Sequence, residues 1–249
     1  MLFPPTDSGH ARLAVVAGCE VIEIPRSHRF AIELDPAEFQ EYPGVVALAM
    51  SPNDPTGTIM TAQDGVRIAR KCAFLVVDER HAAYSPRTLI PLAREFDNVV
   101  VLRTLETWAG LSGFPLAYAI APPKLAAALC ERKFHRVVSG SAMVAAHATL
   151  DDLRHVLVGV ERVRDEKARL FRTLRKLNMI RPYPSWANFL LARVERGEAD
   201  HFAAELHRRC ISLHRPAHPL LAGHFRISAV SAEATAALKN ALIEIATDL

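Results

Sequence analysis

The feature that most constrains the fold of this chain is an alternation. Through the first half of its 249 residues, short apolar, β-branched runs are separated by amphipathic stretches. That is the pattern of βαβ units, hence of a parallel sheet covered by helices. The runs predict strands over Glu20 to Ile24, Val45 to Ala49, Phe74 to Val77, Val99 to Arg103 and Leu116 to Ile120. Between them Ser8 to Ala17 reads as a helix closed by Gly18, and Thr61 to Lys71 as a helix with Thr61 at its N-cap. Pro122 and Pro123 suit the first turn of a helix reaching about Phe134, because a missing N–H costs nothing there.

The second half reads differently. Ala142 to Leu177 is one long charged helical region, with i, i+4 pairs such as Asp165 and Arg169, suited to bridging two domains. Strands follow over Asn188 to Val194 and Phe225 to Ala229, with helices over Ala199 to Cys210 and Ala232 to Ile245. The expectation is an α/β fold: a large domain over 1–138 with a doubly wound, largely parallel sheet, linking helices over 139–177, and a small α+β lobe over 178–249. Phe3-Pro4-Pro5-Thr6 resembles the exit of a strand with almost nothing before it, so the chain reads as starting in mid-domain.

Composition narrows the function. Half the residues are hydrophobic and 23% charged, enough apolar material for a sizeable core. The net charge of +3 is scattered, without the basic stripe a nucleic-acid binder needs. No apolar run is long enough to cross a bilayer, and Met1 to Pro5 lacks the regions of a signal peptide, so neither membrane nor export is expected and the reading is cytoplasmic. Cys19, Cys72, Cys130 and Cys210 lie far apart and read as free thiols. Cys210, His214, His218 and His224 crowd one segment, but Pro216 and Pro219 break any helix that would align them, so no metal is expected.

In a parallel sheet, ligands sit beyond the carboxyl ends of the strands. Three unusual loops fall there: Ser51 to Gly57, Asp78 to His81, and Thr104 to Gly113. SPNDPTG resembles an N-P-N-N-P-T-G loop, LVVDERHAAY resembles V-V-D-E-A-Y-x-x-F, and VVLRTLETWAGLSGFPLAY resembles V-L-R-T-x-S-K-A-x-G-L-A-G-x-R-x-G-Y. With SWANFLLARV and FRIS, these motifs make the chain similar to histidinol-phosphate-type aminotransferases, fold-type I enzymes that use pyridoxal phosphate and are usually dimers.

The resemblance implies roles residue by residue. Asp78 would face the pyridine nitrogen, Arg226 would hold a substrate carboxylate, and Asn188 would also meet substrate. Thr107 stands at the position of the imine-forming lysine, and a hydroxyl cannot form that bond. Pro115 replaces an arginine and Glu106 a serine, both of which meet the cofactor phosphate. Asp54 replaces an asparagine and His81 a tyrosine, both of which reach the ring hydroxyl. Asp7 and His10 lie where aromatic residues border the ring, and the glycine-rich phosphate loop would lie upstream of Met1.

Among the other lysines, Lys71 and Lys124 lie on predicted helices, while Lys133, Lys167, Lys176 and Lys239 read as solvated. Trp108 is expected to plug the vacated pocket. The expectation is therefore a non-catalytic aminotransferase-like homodimer that takes no cofactor and offers Arg226 to a small anion. The alternative is a pyridoxal-phosphate-dependent aminotransferase acting on histidinol phosphate or a related phosphorylated amino acid, completed by a further N-terminal segment or a partner chain.

Overall fold

The computed structural model describes residues 1–35, 39–131 and 138–247. Its first sheet holds β1 (Tyr42–Met50), β2 (Cys72–Asp78) and β3 (Val99–Thr104) in parallel, with β4 (Ala117–Ile120) antiparallel beside β3. The fold is α/β. The crossovers are α2 (Ala62–Lys71) and α3 (Ile90–Glu95), which bury Ile68 and Leu92 against Ala47, Ala49, Leu75, Val77, Val99 and Val101. Each such aliphatic side chain removed from water contributes about 1.5–3 kcal/mol. On the opposite face Val46 and Phe74 stand exposed.

Helix α2 starts where the sequence places it, because Thr61 accepts a hydrogen bond from the Asp64 N–H at 3.1 Å. Helix α1 (Ser8–Val16) is capped the same way by Asp7, and Gly18 beyond it adopts a positive φ of 71°.

Glu20 to Ile24 does not form a strand of the sheet. Only Leu2 pairs there, lying between Glu23 and Leu48, with Leu2 N–H donating to Ile22 at 2.8 Å and Ile24 N–H donating back at 2.9 Å. Helix α4 (Pro123–Glu131) begins as expected, while its proposed end at Phe134, like Lys133, lies outside the described residues.

The long helical region is two helices, α5 (Gly140–Asp151) and α6 (Leu153–Leu174). The break falls at Asp152, whose carboxylate accepts from the His155 N–H at 3.3 Å and so starts a new helix. Arg169 pairs with Glu166 at 3.3 Å rather than with Asp165.

The second sheet is antiparallel, in the order β5 (Ile180–Pro182), β6 (Phe189–Val194) and β7 (His224–Ser228). It packs against α7 (Ala199–Arg208), α8 (Ala232–Thr247) and the end of α6 around Leu170, Leu174, Leu190, Phe202 and Leu242. Among the described residues, no helix is long and apolar enough to cross a membrane.

Candidate functional site

The loops after β1 and β2 converge with β7 where the two sheets meet. The first loop is built on Asn53, which is fully buried. Its amide donates to the Pro5 carbonyl at 2.9 Å and to Thr56 at 2.8 Å, and its oxygen accepts from Thr6 and from Arg26. Gly57 ends the turn at a φ of 71°, against Ser185 of the second lobe.

This geometry aims Asp54 across the seam. Its Oδ1 lies 3.0 Å from Arg226 Nε, and its Oδ2 lies 3.7 Å from His81 Nε2. The first contact is an ion pair without hydrogen-bond alignment, since Arg226 Nε is buried with no hydrogen-bond partner among the described residues. Burial works to raise the Asp54 pKa, but the His81 contact and the Arg226 charge outweigh it and hold the carboxyl below its ordinary value. The Arg226 guanidinium also lies 4.0 Å from the centre of the Phe189 ring, and His81 meets the same ring edge-on at 5.3 Å.

Asp78 ends β2 and is 4% exposed. Its Oδ2 receives His10 Nε2 at 3.1 Å, Arg80 Nε at 2.9 Å and the Arg80 terminal nitrogen Nη2 at 2.5 Å, while its Oδ1 accepts the Arg80 backbone N–H at 3.0 Å. Burial pushes the Asp78 pKa upward. The bonds from His10 and Arg80, together with the Arg80 charge, outweigh that and hold the carboxyl far below the usual carboxylate range. Arg80 reaches on to Asp7 at 3.0 Å.

Thr107 tethers this arrangement from the third loop, its hydroxyl donating to the Arg80 carbonyl, while Tyr84 donates to the Thr107 carbonyl at 3.1 Å. Glu106 turns back on its own strand, accepting from the Thr104 hydroxyl at 3.1 Å, and Pro115 is exposed in the same loop. Asn188 precedes Phe189 on the second lobe, and its Oδ1 is buried without a hydrogen-bond partner among the described residues. The structure therefore gathers Asp54, His81 and Arg226 beside Phe189, leaves Asn188 as the chain neighbour of that ring, and sets Asp78 beside Thr107 through Arg80.

Two expectations are corrected. Trp108 does not plug a pocket; its indole N–H donates to the Thr104 carbonyl at 2.7 Å, and the ring lines one wall of an open apolar groove of about 710 Å³. Lys167 is not solvated, because its ammonium donates to the Ser185 carbonyl at 2.8 Å and the Ala187 carbonyl at 2.7 Å, and burial pulls its pKa down to about 8.

Arg80 is a further part of the arrangement that the sequence does not single out: it sits two residues from Asp78, but the role it takes there also draws on Asp7 and His10, 73 and 70 positions away. Among the described residues no group of three or more histidine, cysteine, aspartate or glutamate side chains is arranged to hold a metal ion. His224 instead stacks on Tyr183 at 5.7 Å, and burial lowers its pKa.

The family model for aminotransferase class I and II matches residues 1–245. The chain belongs to this aminotransferase family. Histidinol-phosphate aminotransferase from Roseiflexus castenholzii is 34% identical over 248 residues, a match covering 98% of this chain and 67% of that protein. The chain thus spans about two thirds of that aminotransferase's length.

Two solved structures share the fold. Histidinol-phosphate aminotransferase from Clostridium acetobutylicum superposes with a TM-score of 0.87 at 16% identity, covering all of this chain and 78% of that one. The Sinorhizobium meliloti enzyme, in complex with pyridoxal-5'-phosphate, gives 0.84 at 20% identity, covering all of this chain and 70% of that one.

These relationships overturn the expectation that no cofactor belongs here: for a member of this family, with a cofactor-bound relative of the same fold, pyridoxal phosphate is the expected group. The residues of this aminotransferase-family chain meet that group unequally. A buried, ionised Asp78 fits a protonated ring nitrogen, and buried atoms on His81 and Asn188 without hydrogen-bond partners among the described residues, with an Arg226 held only by a misaligned ion pair, fit a polar ligand. Residue 107 does not fit covalent capture, because its hydroxyl cannot form an imine.

Proposed function

We propose that this chain is a histidinol-phosphate-aminotransferase-like protein that takes a pyridoxal-phosphate-type group against Asp78, without a covalent bond at residue 107, and an anionic amino-acid-type substrate against Arg226. One observation carries the reading: beside Phe189, Arg226 meets Asp54 only as an ion pair without hydrogen-bond alignment, and His81 Nδ1 and the Oδ1 of Asn188, next along the chain from that ring, are buried without a hydrogen-bond partner among the described residues. Each such atom costs about 1–3 kcal/mol when left unsatisfied, so a ligand that pairs them is stabilised by what the free protein lacks. The identity of the relatives supports the substrate class, a phosphorylated amino compound.

When bound, the cofactor supplies an electron sink for bonds at the substrate's amino carbon. The chain's own residues orient the reactants. Asp78 stays ionised and holds a ring N–H, and Arg226 presents a guanidinium to an anionic group, exchanging Asp54 for it. Phe189 supports both Arg226 and His81. A homodimer, with a small anion at Arg226, belongs to the same proposal.

A second reading is favoured by Thr107: a homologue that binds ligand but transfers no amino group. Both are tested by one pair of measurements on the purified chain, calorimetric binding of pyridoxamine 5'-phosphate and amino-group exchange between histidinol phosphate and a keto acid. Binding with exchange supports the first reading and binding without exchange the second. Absence of both overturns the site.

A further inference from the structure

We propose that Arg80 is an internal occupant of the Asp78 carboxylate, an autoinhibitory latch that a ligand carrying a protonated ring nitrogen must displace. The inference rests on the site reading above and deepens it. A carboxylate offers about four acceptor positions. Four donors already meet Asp78, unevenly placed: His10 and two side-chain nitrogens of Arg80 crowd Oδ2, and the Arg80 backbone N–H takes Oδ1. A ring N–H arriving at Oδ2 therefore finds that oxygen taken, and its positive charge already answered by the Arg80 guanidinium, until one donor leaves.

Arg80 is the donor built to leave. His10 is 4% exposed on α1, its Nδ1 is buried without a partner among the described residues, and its Nε2 meets Asp78 at 3.1 Å and, more distantly, Arg80 itself at 3.4 Å, so leaving would strand a buried ring. The Arg80 side chain is 37% exposed and borders two open grooves, so its guanidinium can move into water while its backbone stays in place. The backbone is held by Thr107, whose hydroxyl accepts no ligand role here but donates to the Arg80 carbonyl. Asp7, bonded to the outer guanidinium nitrogen at 3.0 Å, holds the latch shut from the far side. The residue at the lysine position thus serves the occupant of the neighbouring carboxylate.

The test is calorimetric titration with pyridoxamine 5'-phosphate, which has no aldehyde and so reports the non-covalent site alone. Arg80→Met is expected to bind at least tenfold tighter than the unaltered chain, and Asp78→Asn added to it is expected to abolish that gain. Arg80→Lys, which keeps the charge but not the planar fork, is expected to fall between and serves should the methionine variant fold poorly. Equal or weaker binding by both Arg80 variants, with binding still sensitive to Asp78→Asn, overturns the latch and leaves the site reading standing. Binding that ignores Asp78→Asn, or is absent from every variant, overturns the site reading and the latch with it.

Discussion

Replacing Asp78 by asparagine keeps the side-chain volume and removes the charge that Arg80 and His10 share. Removing one partner of a buried ion pair costs about 3–5 kcal/mol. Here the Arg80 side chain is 37% exposed and rehydrates when released, so a smaller loss, about 2 kcal/mol, is expected. In urea, with a slope of about 2–3 kcal/mol/M, the unfolding midpoint should fall by somewhat under about 1 M at pH 7.

The loss should also depend on pH in one direction. The Asp78 carboxyl is held below its ordinary value in the folded chain, so its contribution is complete above the unfolded pKa of about 3.9 and disappears as pH falls below it. The gap between the two proteins should be widest near neutrality and narrow at pH 3. Coincident midpoints at pH 7, or a gap that grows on acidification, would refute the assignment of Asp78 as an ionised, paired carboxylate.

Other outcomes follow from single contacts. Gly57→Ala should destabilise the chain by about 2 kcal/mol or more, because φ is 71° and a Cβ would lie 2.9 Å from the Ser185 Cα; a thermal melt reads this, and an unchanged melting temperature would refute it. Lys167→Met should cost about 1–3 kcal/mol at pH 7 by stranding the Ser185 and Ala187 carbonyls. The folded amine releases its proton from about pH 8 whereas the unfolded one holds it to 10.5, so the unaltered chain should gain stability relative to that variant as pH rises through this window. Glu79→Ala should cost about 3–5 kcal/mol in urea unfolding, since it leaves Arg103, Thr88 and the Leu89 N–H without their shared acceptor.

Much of the first sheet was legible because its strands are apolar runs ended by turn residues, and those local signals survive in the fold at β1, β2 and β3. Glu20 to Ile24 misled for a tertiary reason: a run with strand composition becomes a strand only beside enough partner backbone, and here Leu2 supplies a single bridging residue. The break at Asp152 was legible in principle, as an aspartate before Leu153, but the charge pairs on either side read as one continuous helix. At the site, sequence located Asp54, Asp78, His81 and Arg226. It missed Arg80, whose guanidinium joins Asp7 and Asp78 across 73 and 2 positions, a union no local pattern encodes. It also missed Lys167, because a lysine on a charged helix looks solvated until its ammonium meets two carbonyls from another element.

Asp54 belongs to one sheet's loops and Arg226 to the other sheet, so their contact is a rivet between two bodies. On the proposed function, an incoming anion would compete with Asp54 for the guanidinium and undo the rivet as it arrives. Ligand occupancy and the play between the lobes would then be joined in one ion pair: the grip on the ligand would tighten only as the hold of one sheet upon the other slackened.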